Sequence, residues 1–279
     1  TRMNDSKMSG SIKEEVLRTL PVMCYAEIAE INAEHEVFLV RHITSGRIGV
    51  RKRLPAAVLP VYEYLKKAKP AGIPRIDELC RENETLTVIE EFIPGKSLRE
   101  YLKDHGPMKP VRAAFCTAVL ASILEPLHRS NPPLIHRDIK PENVIFADSG
   151  CLYLVDFGAS IFAREGRERD TNLLGTPGYA APEQYGYAPS SPGTDVYGLG
   201  MVFYEMVGRS REKDVPVRLR IVMKKATSAL PENRFRNAGE LKTALLSCLS
   251  PHLVLTFLAG EHYRRFINRI HKRKEKKKK

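Results

Sequence analysis

The stretch LIHRDIKPENVIF, Leu134–Phe146, sets Arg137, Asp138, Lys140, Glu142 and Asn143 between two apolar runs. Charged groups are seldom kept within sequence that reads as core, and where they are, they serve chemistry or a turn. The chain continues as NVIFADSGCLYLVDFG. Val144–Phe146 and Leu152–Val155 are β-type runs with the turn sequence ADSG between them, which predicts a hairpin. Asn143 precedes the first strand and Asp156 follows the second. Directly opposed residues in an antiparallel pair have Cα atoms about 4.5–5.5 Å apart, so folding this hairpin brings an amide oxygen and a carboxylate together. Such oxygen donors suit magnesium, which takes one or two carboxylates and completes its shell from phosphates. Asp138, five residues before Asn143, is placed to take a proton from a hydroxyl, and Lys140 to neutralise a phosphoryl group in transfer.

The rest of the chain has to position these groups. Its 279 residues, 43% hydrophobic and 28% charged, suffice for one large domain or two lobes. Ile12, Val16 and Leu20 predict a short amphipathic helix over residues 11–20. EVFLVRHI and RIGVRKRL flank TSG as a hairpin, and TLTVIEEFI, residues 85–93, reads as a further strand. In the second hairpin strand, alternation puts Val50, Lys52 and Leu54 on one face and Arg51 and Arg53 on the other. By itself Lys52 reads as a lysine whose stem packs while its amine snorkels. Residues 56–68 look helical. After Pro94–Gly95 the pattern turns helical, with VRAAFCTAVLASILEPLH as a long, mostly apolar helix for the middle of a lobe. The expected organisation is an α+β chain with an N-terminal extension (1–20), a small β-rich lobe (21–92), a larger helical lobe (93–249) and a basic tail (250–279).

HRDIKPEN (His136–Asn143), DFG (Asp156–Gly158), GTPGYAAPE (Gly175–Glu183) and DVYGLG (Asp195–Gly200), in this order and spacing, resemble the signature set of protein kinases. The resemblance covers roughly Tyr25 to Leu249. Lys140 is similar to the serine/threonine branch, and LGTPGYAAPEQYG to the eukaryotic-like kinases of bacteria. The resemblance implies the two-lobed kinase fold and ATP-dependent phosphorylation of protein substrates. Asp138 would be the catalytic base and Lys140 a γ-phosphate contact, while Asn143 and Asp156 would hold Mg²⁺. Contacts to ATP would come from Lys52, Glu91, Ile93, Asn143 and Asp156, with Lys52 reassigned as the β3 lysine. Thr176 would align Asp138 with Lys140, and Glu183 would pair with Arg234. The 28 residues from Asp156 to Glu183 are a long loop of the functional kind. Thr171 there, near Arg164, Arg167 and Arg169, is expected as an autophosphorylation site with Arg137 as phosphate partner, against the plainer reading of an unmodified polar residue.

Three features depart from the family pattern. Glu30, Asn32 and His35 stand where the glycine-rich loop would have glycines, and Glu30, Glu34 and Glu36 would bring negative charge near ATP. Val61 stands where the helix glutamate that pairs with Lys52 belongs. Glu63 or Glu90, the latter at the gatekeeper position, are the two replacement carboxylates, unless both are merely solvated. Only 25 residues separate Gly208 from Arg234, so the substrate-docking helix there is expected to be short or missing. The rival reading from another class is a pseudokinase, a nucleotide-binding or scaffold module that transfers no phosphate.

The net charge of +12 is a property of the tail: ten of the 45 Lys/Arg and one of the 33 acids lie in His262–Lys279. The body is nearly balanced, which argues against a specific nucleic-acid partner. Tyr263, Phe266, Ile267 and Ile270 form an apolar stripe on this basic segment. It suits an anionic membrane surface, a stretch preceding a membrane anchor, or a helix packed on the domain with a solvated lysine end. Five scattered cysteines without a C-x-x-C spacing fit a reducing cytosol, so the expected location is cytoplasmic, with the inner membrane face as the site of any tail contact.

Overall fold

The computed structural model describes residues 21–33, 36–163, 175–186 and 188–260. The predicted helix over 11–20, Thr171 with its neighbouring arginines, and the basic stripe beyond residue 260 all lie outside the described residues. The chain divides into two compact units. One runs to Lys69 and includes Pro74–Ile93; the other holds Pro70–Ile73 and everything from Pro94.

In the first unit, β1 (Tyr25–Asn32), β2 (Val37–His42), β3 (Ile48–Pro55), β4 (Ile76–Glu82) and β5 (Thr85–Glu91) form one antiparallel sheet in the order β1-β2-β3-β5-β4. β5 lies inside the sheet, and its Leu86, Val88 and Ile89 are fully buried. A 3₁₀ turn (Ala56–Val58) leads into α1 (Leu59–Ala68), where Val61, Tyr62 and Leu65 make the buried stripe at helical spacing. β1 has no counterpart in the sequence pattern. Only Tyr25 is buried along it, Ile28 and Ile31 face out, and its register with β2 shifts twice. An exposed, bulged edge strand has no buried face to impose period-2 alternation.

In the second unit, β6 (Gly95–Ser97) leads directly into α2 (Leu98–His105). A capping box starts that helix: Ser97 Oγ accepts from the Glu100 N–H and the Glu100 carboxylate accepts from the Ser97 N–H. α3 (Pro110–His128) is long and apolar enough to cross a membrane by length and composition alone. It is apolar all round because it is the buried central helix, packed by α4 (Pro192–Val207) and α6 (Ala238–Leu246). β7 (Leu134–Ile135) pairs with β10 (Ile161–Phe162), and β6 pairs with β8 (Val144–Ala147), which pairs with β9 (Leu152–Leu154).

The short stretch between Gly208 and Arg234 holds little regular structure beyond one helix of ten residues. A 3₁₀ segment (Arg209–Asp214) precedes that helix, α5 (Val217–Ala226), Leu219 and Met223 supplying α5 with a buried face. A further helix, α7 (Pro251–Gly260), lies within the stretch expected to be the basic tail. It buries Phe257, whose ring meets Phe115 of α3 edge-on at 5.9 Å.

Candidate functional site

The predicted β8–β9 hairpin carries its two polar ends together: Val144 lies opposite Leu154, and the Val155 N–H donates to the Asn143 carbonyl at 2.9 Å. Asn143 ends a 3₁₀ turn (Pro141–Asn143) and is buried. Its amide nitrogen donates to the Asp138 carbonyl at 2.8 Å and to Asp138 Oδ2 at 2.9 Å. Both partners are acceptors, so the amide can sit only one way round, leaving Oδ1 as its remaining polar atom.

Asp138 is the hub. Lys140 Nζ lies 2.8 Å from Asp138 Oδ2 and donates to Thr176 Oγ1 at 2.9 Å. Thr176 Oγ1 in turn donates to Asp138 Oδ1 at 2.8 Å. An ammonium can only donate, so the threonine spends its single hydrogen on the carboxylate. Burial pushes the Asp138 carboxyl up, but Lys140 and Thr176 outweigh it and hold the group below the usual carboxylate range. An ionised carboxylate has about four acceptor positions, and three are used here, the open one being on Oδ1.

The loop holding Asp138 is fixed from behind by Asp195, His128 and His136. Asp195, in the first turn of α4, accepts from the His136 and Arg137 N–H groups, each at 2.8 Å. It also bonds His128 Nε2 at 3.0 Å, and His128 Nδ1 accepts from the Ala238 N–H at 3.1 Å. The hydrogen therefore sits on Nε2 and points at Asp195. Burial pushes Asp195 up, yet the His128 bond and the nearby imidazoles bring it below its ordinary value. His136 is fully buried, which lowers its pKa; its Nε2 lies 3.2 Å from the Val155 carbonyl and its Nδ1 accepts from the Asp138 N–H. One imidazole thus ties the loop to the residue before Asp156. Arg137 and Asp156 have φ of +71° and +66°, a left-handed conformation costing about 1–3 kcal/mol that non-glycine residues keep where surroundings enforce it. Gly198 of α4 lets that helix approach: a Cβ there would lie 2.8 Å from Ile139 Cβ.

Arg137 is buried, and its carbonyl accepts from Gln184 Nε2 at 2.8 Å. Glu183 and Arg234 form a bidentate pair at 2.7 and 2.8 Å with almost no exposure. Arg234 also donates to the Gly193, Ser228 and Ala229 carbonyls, and Thr194 Oγ1 to Glu183, which supplies the extra partners a buried charge pair requires.

On the first unit, Lys52 Nζ meets Glu90 Oε1 at 2.7 Å with both side chains buried. Val50 opposes Glu90 and Lys52 opposes Val88, so the pair is a diagonal neighbour on one sheet face. Between the two carboxylates that the sequence left open, the structure selects Glu90; Glu63 is exposed on α1, and Val61 is buried there. Glu91 accepts from the Arg75 N–H at 3.3 Å and Ile93 is half-buried. Glu30 and Asn32 lie on β1 opposite Phe38 and Val37, while Glu34 and His35 are outside the described residues. Glu36 does not stand as uncompensated charge: Arg53 is 3.2 Å away.

Among the described residues no group of three His, Cys, Asp or Glu side chains could hold a metal unaided. Asn143 Oδ1 and the Asp156 carboxylate are hard oxygen donors at the two ends of one hairpin. They fit a cation that draws its remaining ligands from phosphates, as magnesium does.

The Protein kinase domain family model matches residues 31–245. Serine/threonine-protein kinase PkaA of Streptomyces coelicolor is 38% identical over 140 residues, 49% of this chain and 25% of the relative. A probable serine/threonine-protein kinase of Clostridium acetobutylicum is 26% identical over 197 residues, 61% and 30% of the two chains. Serine/threonine-protein kinase PknL of Mycobacterium tuberculosis is 36% identical over 121 residues, 43% and 30%. The matched stretches take in no more than 30% of these relatives' own lengths. With its signature loops built as described and most of its length matched by the family model, this chain belongs to the protein kinase family.

Proposed function

We propose that the chain transfers the γ-phosphoryl group of ATP to serine or threonine hydroxyls of proteins, with Mg²⁺. The observation that carries this reading is the closed triangle of Asp138, Thr176 and Lys140. It keeps one carboxylate ionised and oriented, with one acceptor position left on Oδ1 for a substrate hydroxyl. Phosphoryl transfer needs little covalent help, so rigid positioning and charge stabilisation do most of the catalysis. Asp138 orients the hydroxyl and takes its proton. Lys140, spanning Asp138 and Thr176, lends positive charge to the group in transfer. Asn143 and Asp156 would hold magnesium, which when bound neutralises charge on the phosphates. Lys52, fixed by Glu90, is the phosphate contact of its own unit.

Transfer of radiolabel from ATP to the chain itself or to a generic protein substrate tests the reading, with Asp138→Asn as control. Label in the unmodified chain and none in the variant is the expected result. If Mg-ATP at 100 times its Kd stabilises the fold by about 2.7 kcal/mol while no label moves, the pseudokinase reading replaces it.

A further inference from the structure

Arg99 of α2 joins three segments that are far apart in the chain. Its Nε donates to Glu142 at 2.7 Å, Nη1 to Glu205 of α4 at 2.5 Å, and Nη2 to the Tyr179 hydroxyl at 2.7 Å. Arg209 takes the other oxygen of Glu205 at 3.3 Å and donates to the Gly178 carbonyl at 3.2 Å. The two guanidiniums lie 5.8 and 5.7 Å from the Tyr179 ring centre. Glu142 is four residues beyond Asp138, and Tyr179 is three beyond Thr176. The cluster is therefore built onto the same two loops as the reaction centre.

Beside it opens a cavity of about 580 Å³ lined by Arg99, Lys103 and Arg209 with Leu102, Pro107 and Glu205. Three cations face one carboxylate there, and both oxygens of that carboxylate are already engaged. Lys103 is exposed and makes no ion pair among the described residues. A guanidinium has five N–H donors, of which Arg99 uses three and Arg209 two. Pro107 also lines an adjoining cavity of about 310 Å³ that adds Lys109 and Arg211 against Asp214. In the cavity beside Arg99 a cation would find both oxygens of Glu205 engaged, whereas an anion would find unused guanidinium donors and the Lys103 ammonium, groups that bind carboxylates and phosphates.

We propose that this groove binds an acidic side chain of the protein substrate, so that the chain selects acceptor hydroxyls flanked by anionic residues. The proposal rests on the kinase reading for the transfer step, but the binding step can be measured without it. The probes are peptides with one serine in a neutral background, carrying glutamate, phosphoserine, glutamine or arginine at a flanking position that is moved along the peptide. Each is assayed for transfer and, with a fluorescent label, for binding by anisotropy.

At the best position, the glutamate or phosphoserine peptide should exceed the glutamine peptide in kcat/KM by about tenfold, the scale of one charge-assisted hydrogen bond, and the larger of the two identifies the anion's source. The arginine peptide should fall below glutamine, and added salt should shrink the acidic advantage. Lys103→Glu, at an exposed position, and Lys103→Glu/Arg209→Glu should bring the acidic-to-neutral ratio towards one. Equal kcat/KM and equal binding for acidic and neutral peptides, or a preference for arginine, overturns the proposal. An acidic preference untouched by Lys103→Glu and by the double variant overturns its assignment to this groove. Selective binding of acidic peptides with no transfer to any of them supports the groove and removes the kinase reading instead.

Discussion

Replacing Glu90 by leucine asks whether Lys52 and Glu90 are a coupled pair or two neighbours. Their side chains are 9% and 7% exposed and 2.7 Å apart. Removing one partner of such a pair costs about 3–5 kcal/mol, because the other charge stays behind in a poorly solvating site; replacing both with apolar groups of similar size is often neutral. Glu90→Leu and Lys52→Met should therefore each lose about 3–5 kcal/mol, and the double variant should be more stable than either. With urea slopes of about 1–3 kcal/mol per molar, each single variant shifts the unfolding midpoint by about 1 M or more. Exposed Glu63, changed to Gln, should stay within about 0.5 kcal/mol of the parent. Urea unfolding of the parent, the two single variants and the double variant closes the cycle, with Glu63→Gln as the control. If the two single costs add in the double variant to within about 0.5 kcal/mol, the side chains are not coupled and Glu90 does not position Lys52.

Arg234→Met should cost about 3–5 kcal/mol by leaving Glu183 buried without its bidentate partner, read as a lowered urea midpoint. Thr176→Val should lower kcat while Thr176→Ser keeps most of it, since only the hydroxyl bridges Asp138 and Lys140. The same substitution carries a signed pH effect. Asp138 is depressed in the folded state, so the stability from its ionised form is present above the unfolded value of about 3.9 and is lost as pH falls through the lower folded value. The acid limb of kcat/KM assigned to Asp138 should lie below about 3.9, and Thr176→Val should move it upward by removing a bond to the charged form. Gly198→Ala should cost about 1–3 kcal/mol and reduce transfer, because its methyl meets Ile139 in the loop that carries Asp138. Thermal melts and initial rates on the same preparation check both parts.

The centre of the site was legible in the sequence because it is local. Asp138, Lys140 and Asn143 lie on one short loop, and the Asn143–Asp156 approach follows from one hairpin with its turn residues in view. Lys52 stood out locally as the lysine on the apolar face of an alternating strand, but that pattern alone reads as a snorkelling side chain, and only the family resemblance made it a site residue. β1 was not, because an exposed edge strand with apolar residues at 25, 28 and 31 carries no period of two.

The remaining decisions belong to tertiary structure. Lys52 and Glu90 are brought together by the β3–β5 register, and no local pattern distinguishes Glu90 from Glu63. Asp195 reaches back 59 residues to hold His136, and Arg99 gathers Glu142, Tyr179 and Glu205 from three separate stretches. A carboxylate's type is written in the sequence, but its partner is set by the packing that determines which charges can leave water together.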